Sequence, residues 1–272
     1  MRSLLLTLSI CYCCILLWSC KDNSTPETVD LPAQQSEDPP QEPQVQIPGE
    51  EERLTLDFLR GRFDPSTHPQ FERVNDRYTD GDGDYYLHQA TYAAFQEMHA
   101  AAALDSIPLI IISATRSFDR QKTIWEAKWR GERLLEGREK ANEVYPEAID
   151  RALAILRYSS MPGTSRHHWG SDLDLNRLNN EYFASGQGKA VYDWLVNNAA
   201  TYGFCQPYTP GRPHGYLEER WHWSFLPIAQ SLTNFAREQV SDESIEGFEG
   251  AQSSAGISVV EHYILGINNE CL

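Results

Sequence analysis

Residues 163–176 read GTSRHHWGSDLDLN, and the second half of this stretch predicts a β-strand with two chemically different faces. If SDLDL is extended, Leu173 and Leu175 point to one face of the strand, whereas Asp172 and Asp174 point to the other. Such a strand would bury its leucines in a core. It would also present two carboxylates to a cleft.

Two adjacent histidines precede this strand and add further metal-binding side chains. His167 lies seven residues before Asp174, and Gly170 between them can turn the chain back. Imidazole and carboxylate groups together suit Zn²⁺. His168 and Asp172 are alternative ligands, so this stretch alone does not decide which histidine and which aspartate would bind a metal.

The segment LEERWHWSF, residues 217–225, supplies a second group of such side chains. In a strand, Trp221 and Trp223 would be buried on one face and His222 would point to the other. A single histidine is usually an ordinary core residue, but His222 provides the third ligand that the first stretch lacks. Three protein ligands with a free fourth position are typical of a catalytic zinc site. Glu219 lies close by and could accept a proton from a zinc-activated water.

Taken in order, the two motifs resemble the signature of the VanY-type zinc D-alanyl-D-alanine carboxypeptidases. That family belongs to a wider group with lysostaphin-like peptidases and hedgehog domains. The first motif is S-x-H-x-x-G-x-x-x-D from Ser165 to Asp174, and the second is E-x-W-H from Glu219 to His222. The resemblance implies an α+β domain in which a small, mostly antiparallel sheet carries the metal site and several helices flank it.

The resemblance also implies a role for each residue of the two motifs. The metal ligands would be His167, Asp174 and His222. These three side chains would hold one Zn²⁺ ion per chain, with Glu219 as the general base. The spacing of the family motifs favours them over three neighbours of similar chemistry, namely His168, Asp172 and Glu218. The family pattern has a small apolar residue where this chain has Asp172, and this extra carboxylate could hydrogen-bond a ligand histidine.

An upstream segment, SATRSFDRQ at residues 113–121, is similar to the family's S-G-Y-R-S-x-x-x-Q segment. By this resemblance, Arg116 would hold the terminal carboxylate of a peptide, with Gln121 and Ser165 assisting. A guanidinium binds a carboxylate through paired, directional hydrogen bonds. Tyr216 could line the same pocket and hydrogen-bond the substrate or an oxyanion, although an ordinary packed tyrosine is an equally good interpretation.

The remaining periodicity predicts a mixture of helices and strands. Helices are predicted over residues 87–104, 117–129, 146–158, 189–202 and 225–238. Strands are predicted over residues 109–113, 171–176 and 220–225. Because these elements do not alternate regularly as β-α-β, we expect the α+β class.

The N-terminus resembles the leader of a bacterial lipoprotein. Residues 1–19 contain a short apolar run that ends in a lipobox-like Leu-Trp-Ser before Cys20. The pattern predicts cleavage before Cys20 and acylation of that cysteine, which would anchor the protein to a membrane. Residues 20–53 are rich in Pro, Gln, Glu and Ser, and this composition predicts a disordered tether. The expected peptidase domain is residues 54–272.

Charge and cysteine usage limit the partners and the compartment. The net charge of −16 argues against a nucleic-acid partner, because phosphate binding needs clustered Lys and Arg. Beyond Cys20 only Cys205 and Cys271 remain, and a pair of cysteines in an exported protein predicts a disulfide. We therefore expect a membrane-anchored lipoprotein of the bacterial cell envelope, facing the periplasm or the cell surface.

The resemblance implies hydrolysis of the C-terminal residue of peptidoglycan stem peptides that end in D-Ala-D-Ala. An L,D-carboxypeptidase or a peptidoglycan endopeptidase on the same scaffold is an open alternative. A non-catalytic zinc-binding cell-wall module is another, although Glu219 argues against it because a binding site needs no base.

Overall fold

The computed structural model of the chain describes residues 54–81 and 83–272. The expected leader, the acylated Cys20 and the tether lie outside the described residues. Among the helices of the described part, none is long and apolar enough to cross a membrane.

Short strands and helices of varied length make up the described part. The strands are β1 (Phe71–Arg73), β2 (Tyr86–His88), β3 (Ile111–Ser113), β4 (Asp172–Leu175), β5 (Phe204–Cys205) and β6 (His222–Phe225). The α-helices are α1 (Leu56–Leu59), α2 (Gln89–Leu104), α3 (Phe118–Trp129), α4 (Ala141–Val144), α5 (Ala148–Ile155), α6 (Gly186–Asn198), α7 (Leu226–Gln239) and α8 (Ser254–Ile257). β1 and β2 form a small sheet, and the other strands form a sheet of order β3-β4-β6-β5. All these strand pairs are antiparallel, which confirms the α+β class.

The four-stranded sheet has one apolar face, which packs against α2 and α6. Leu173, Leu175 and Trp223 on this face share a buried cluster with Phe95 of α2 and Leu195 of α6. The acidic and histidine positions of β4 and β6 lie on the opposite face. The alternation predicted from SDLDL and RWHWSF is therefore confirmed.

A second apolar cluster forms on the polar side of the sheet. It is built from α3, α5, α7 and the C-terminal segments, and its members include Trp125, Ile155, Trp169, Leu232 and Ile264. Since both faces of the sheet are covered, the polar side chains of β4 and β6 are buried between two cores.

Some helix boundaries differ from the sequence prediction. α2 begins at Gln89 because the preceding residues pair with β1 as strand β2. α5 begins at Ala148 rather than at residue 146, because the Arg151 side chain holds the carbonyls of Tyr145 and Pro146 in a turn before the helix. These differences come from strand pairing and side-chain contacts, which helical periodicity does not contain.

A disulfide joins Cys205 of β5 to Cys271, as the cysteine usage predicted. The two Cα atoms are 5.7 Å apart, and the residues are separated by 66 positions in the chain. The Asn268 amide also donates to the carbonyl of Pro207, at 2.8 Å. These contacts hold residues 268–271 beside β5 and the residues that follow it.

Removal of this disulfide should destabilise the domain. Closing a loop of this length reduces the entropy of the unfolded chain, so Cys205→Ala/Cys271→Ala should lower the free energy of unfolding by about 4 kcal/mol. Denaturant unfolding followed by circular dichroism measures this change. Reductant should lower the stability of the wild-type protein similarly and leave the variant unaffected. Equal stabilities of variant and oxidised wild type would contradict the prediction.

Candidate metal and catalytic site

His167, Asp174 and His222 meet on the polar face of the sheet. One nitrogen or oxygen of each residue lies within 4.8 Å of the others, and all three residues are buried. β4 and β6 pair Asp174 directly with His222, and their Oδ1 and Nδ1 atoms are 3.1 Å apart. His167 Nε2 approaches the same oxygen to 3.3 Å from a 3₁₀ turn, Arg166–Trp169. The structure thus brings together the three ligands that the sequence predicted.

Gly170 allows this turn to enter β4. It has a left-handed conformation with φ of 71°. A Cβ atom at this position would lie 2.4 Å from the Phe71 ring and 2.9 Å from the His88 amide nitrogen. A side chain is therefore excluded both by the backbone conformation and by the space available.

The chemistry of these three side chains fits a divalent cation such as Zn²⁺. Asp174 Oδ1 is buried and has no hydrogen-bond partner of good geometry, although two imidazole nitrogens lie near it. Buried carboxylate oxygens are normally satisfied, so an ion between these atoms would account for the arrangement. Two imidazoles and one carboxylate leave a coordination position for water or substrate.

Hydrogen bonds to the second ring nitrogens orient both imidazoles. His167 Nδ1 lies 2.9 Å from the carbonyl of Ala114, which can only accept, so Nδ1 carries the proton and Nε2 is left with its lone pair. His222 Nε2 lies 2.8 Å from Asp172 Oδ2, and this contact leaves Nδ1 directed toward Asp174. Both rings therefore direct their second nitrogen to the centre of the site, where a bound cation would take its lone pair. Burial lowers the pKa of His222, but Asp172 and Asp174 outweigh that effect and raise it to about 9.

Asp172 differs from Asp174 because its carboxylate is fully engaged. Oδ2 accepts from His222 and from Arg166 Nε, at 2.8 and 3.1 Å. Oδ1 accepts from the hydroxyls of Ser171 and Ser224, at 2.5 and 2.7 Å. Four accepted hydrogen bonds use the capacity of a carboxylate, so Asp172 is placed to orient a histidine rather than to bind the metal.

A buried arginine holds this carboxylate in its charged form. Arg166 is 1% exposed, and its remaining nitrogens donate to Thr233 of α7 and to Ser224. Burial raises the pKa of Asp172, but the Arg166 guanidinium and His222 outweigh that effect and hold it well below its ordinary value. Asp174 behaves similarly, because His167 and His222 lower its pKa more than burial raises it.

His168 is excluded as a ligand by its own hydrogen bonds. Its Nδ1 lies 2.6 Å from the carbonyl of Arg116, and its Nε2 accepts from the amide of Gly163 at 3.1 Å. Both ring nitrogens are therefore occupied by backbone groups. This neutral, buried ring connects the segment that carries Arg116 to the turn that carries His167.

Glu219 lies beside the three ligands. Its Oε2 is 3.5 Å from His222 Nδ1, and the residue is 6% exposed. Burial raises the pKa of its carboxyl to about 8, against smaller opposing effects of nearby cations. Glu218, the alternative base, instead accepts a hydrogen bond from Arg220 Nε at 2.8 Å. Of the two glutamates, only Glu219 is in contact with the ligand cluster.

A cleft of about 930 Å³ opens onto these residues and is also lined by Arg116 and Tyr216. Arg116 Nε is buried without a hydrogen-bond partner, and burial lowers the pKa of the guanidinium while Asp174 and Glu219 raise it. The hydroxyl of Tyr216 is also buried. Both residues thus line the cleft, and their contact with a substrate stays a prediction.

Gln121 and Ser165 are placed behind the wall of the cleft rather than in it. Gln121 Nε2 donates to the carbonyl of Ser160 at 2.7 Å, and Ser160 itself lines the cleft. Ser165 precedes the 3₁₀ turn and its hydroxyl is buried. In this structure neither side chain is among those lining the cleft, so the proposed assistance to Arg116 stays a prediction.

Three residues at the site were not identified from the sequence. The Tyr208 ring packs against His222 with the ring centroids 4.6 Å apart and the planes tilted by 52°, and Lys128 lines the cleft. No motif marks either residue. A buried Asp172 requires a cation, and Arg166 and Arg177 lie six and five residues from it, so the sequence alone does not select Arg166.

Comparison with known proteins agrees with the geometry. Residues 84–228 match the model of the VanY family, described as D-alanyl-D-alanine carboxypeptidase. The chain belongs to this family. The matched region contains both metal motifs and the segment with Arg116.

Individual relatives are more distant. "Putative carboxypeptidase YodJ" of Bacillus subtilis (strain 168) is 28% identical over an alignment of 149 residues, and the match covers 52% of this chain and 46% of that protein. The match thus spans less than half of YodJ. Among solved structures, VanYB in complex with D-alanine-D-alanine is 23% identical with a TM-score of 0.44, covering 62% of this chain and 83% of that one. The LdcB LD-carboxypeptidase is 20% identical with a TM-score of 0.47, covering 64% and 76%.

Replacement of Asp172 should weaken metal binding without removing a ligand. Asp172→Asn loses the charge that orients His222, so we expect affinity for Zn²⁺ to fall roughly 10- to 100-fold. Competition with a chromogenic chelator measures this affinity. Ser224→Ala removes one of the four hydrogen bonds to Asp172 and should have a smaller effect. Unchanged affinity in Asp172→Asn would contradict the orienting role.

His168 should make the metal-free protein sensitive to acid. Burial lowers the pKa of His168 from 6.5 to about 3. Between these values the unfolded chain binds a proton that the folded chain does not, so stability falls as the pH drops below 6.5. The resulting loss of folding stability amounts to roughly 4 kcal/mol by pH 3.

Denaturant unfolding of the metal-free protein at several pH values tests this prediction. His168→Gln cannot titrate in this range, so its stability should decline less steeply between pH 6.5 and pH 3. Parallel declines in the wild type and the variant would show that His168 does not carry the effect.

Proposed function

We propose that this protein is a zinc-dependent D,D-carboxypeptidase that removes the terminal residue of peptidoglycan stem peptides ending in D-Ala-D-Ala. The observation that carries the proposal is the buried cluster of His167, Asp174 and His222, with Glu219 beside it and Arg116 in the same cleft. Membership of the VanY family supports the same reaction.

The reaction is hydrolysis of a peptide bond. Zn²⁺, when bound by the three ligands, would polarise the scissile carbonyl and lower the pKa of a water molecule. Glu219 accepts the proton of the attacking water and delivers it to the leaving amine as the C–N bond breaks. Burial raises the pKa of the Glu219 carboxyl and so makes its carboxylate a stronger base, whereas a cation bound by the neighbouring ligands would lower that pKa again.

Arg116 gives the reaction its preference for chain ends. Its guanidinium lines the cleft, and no carboxylate of the described residues lies within ion-pair distance of it. A peptide's terminal carboxylate would supply that partner and would place the last peptide bond at Glu219. This arrangement supports a carboxypeptidase over an endopeptidase, and over a binding module that needs no base.

The sequence outside the described residues supports a location in the cell envelope. We propose that residues 1–19 are removed as a signal peptide, that Cys20 is acylated, and that residues 20–53 tether the peptidase domain to a membrane. The Cys205–Cys271 disulfide is consistent with this proposal, because disulfides persist mainly in oxidising compartments. A peptidoglycan substrate is accessible from the same location.

Replacement of Glu219 should separate metal binding from catalysis. Glu219→Gln keeps the three ligands, so zinc should stay bound while kcat falls roughly 10²- to 10⁴-fold. Glu218→Gln is a matched control one residue away and should retain activity, because Glu218 pairs with Arg220. Mass spectrometry of stem peptides ending in D-Ala-D-Ala, in a single D-Ala, or cross-linked, measures both activity and specificity.

Each outcome of this experiment is informative. Release of the last residue from the D-Ala-D-Ala peptide supports the D,D-carboxypeptidase. Cleavage of the peptide with a single D-Ala, or of cross-linked dimers, would instead indicate an L,D-carboxypeptidase or an endopeptidase. Full activity in Glu219→Gln would contradict its assignment as the base.

A further inference from the structure

Lys128 places a second cation in the wall of the cleft. It lies on α3, seven residues after Gln121, and is 9% exposed. Seven residues correspond to about two helical turns, so both side chains lie on the same face of α3. Lys128 lines the same cleft as Arg116 and Glu219.

Among the lysines of the described chain, Lys128 is the one without a carboxylate partner. Lys122, Lys140 and Lys189 are all more exposed, and each lies within 3.9 Å of a glutamate or an aspartate. Lys128 Nζ donates to the hydroxyl of Ser159 at 2.6 Å, and it makes no ion pair with any described residue. The most buried lysine is therefore the one that lacks a counter-ion.

Burying an ammonium without a counter-ion is unfavourable, because a single hydroxyl does not replace its hydration. Burial and the charge of Arg133 lower the pKa of Lys128 to about 8, while Glu136 and Glu219 oppose this effect. An ammonium has three N–H donors, and Ser159 uses one of them. The side chain thus has unused donors at the wall of a cleft.

Among the cations of the cleft that are withdrawn from solvent, the unpaired positive charge is localised. Arg133 and Arg138 also line the cleft, but both are exposed. Arg157 also lines the cleft, but it is neutralised by Glu136 and Glu139 at 2.8 and 3.4 Å. Of the cations withdrawn from solvent there, Arg116 and Lys128 lack a carboxylate among the described residues. One guanidinium suffices for one terminal carboxylate, because it binds both oxygens at once.

We propose that Lys128 binds a second carboxylate of the substrate, carried by a side chain of the peptide. This inference rests on the proposed peptidase function and makes it more specific. The preferred substrate is then an acidic peptide with two anionic groups, of which Arg116 binds the terminal one and Lys128 the other. Lys128 is a specificity-determining residue and takes no part in the proton transfers at Glu219.

Two peptides and one substitution test this assignment. The peptides are stem pentapeptides ending in D-Ala-D-Ala that differ only in whether their side-chain carboxylates are free or amidated. The zinc-loaded wild-type protein should cleave the free form with a kcat/KM roughly 10- to 100-fold higher. In Lys128→Met, kcat/KM on the free-carboxylate peptide should fall by that factor, mainly through a higher KM. On the amidated peptide, kcat/KM should change by at most about twofold. Equal losses on both peptides would overturn the assignment.

Two further variants separate substrate binding from a structural role. Ser159→Ala removes the protein's own acceptor and leaves the ammonium in place, so it should retain the preference for free carboxylates. Lys122→Met is a matched control on the same helix and should behave as the wild type. If Ser159→Ala abolished the preference as Lys128→Met does, the lysine would act through the wall of the cleft and the proposal would be wrong.

Failure of the peptidase function is distinguishable from failure of this inference. If the wild type cleaves neither peptide, the proposed reaction is wrong. Isothermal titration of both peptides into the zinc-loaded wild type and Lys128→Met still tests the lysine. A preference for the free-carboxylate peptide that disappears in the variant supports the role of Lys128, and the same affinity for both peptides in both proteins refutes it.

Discussion

The pairing of β4 with β6 is the constraint on which the rest of the site depends. Its register places Asp174 opposite His222 and Asp172 opposite Ser224. Because side chains alternate along a strand, a slip of one residue would turn the carboxylates into the apolar core and the leucines toward the cleft. The leucines and tryptophans that stabilise the sheet therefore also fix the position of the proposed metal ligands. Stability and function are set by the same register.

Two aspartates on one strand face have opposite states of hydrogen bonding, and this difference assigns their roles. Asp172 accepts four hydrogen bonds, including one from a fully buried arginine. Asp174 has a buried oxygen without a well-aligned donor. The carboxylate of Asp172 is fully hydrogen-bonded, whereas that of Asp174, two residues away, is not. The unfavourable burial of a polar group is therefore confined to the position where a cation could offset it. A divalent cation held by His167, Asp174 and His222 would offset it.

The strands of the site and the faces of their side chains could be predicted from the sequence, but most contacts between distant segments could not. Alternation in SDLDL and RWHWSF was sufficient to predict both strands and the faces on which Asp174 and His222 lie. The contact between Arg166 and Thr233 spans 67 residues, and nothing in the periodicity of either segment indicates it. Similarly, the motif that contains Gln121 does not indicate that its amide donates to the carbonyl of Ser160, 39 residues away. Motifs specify which chemistry is present, whereas the direction of a side chain depends on neighbours that are distant in sequence.

The C-terminal segment has a consequence for when the site becomes complete. Asn268 bonds the carbonyls of Gln206 and Pro207, and Cys271 is joined to Cys205. Residues 206–208 in turn support the backbone of Glu219, the proposed base, because Gln206 Nε2 donates to the Glu219 carbonyl and the Glu219 amide donates to the Tyr208 carbonyl. Residues 268–271 are synthesised roughly fifty residues after Glu219. The backbone around the base therefore gains its final support late in biosynthesis, after a thiol oxidation that the cytoplasm disfavours.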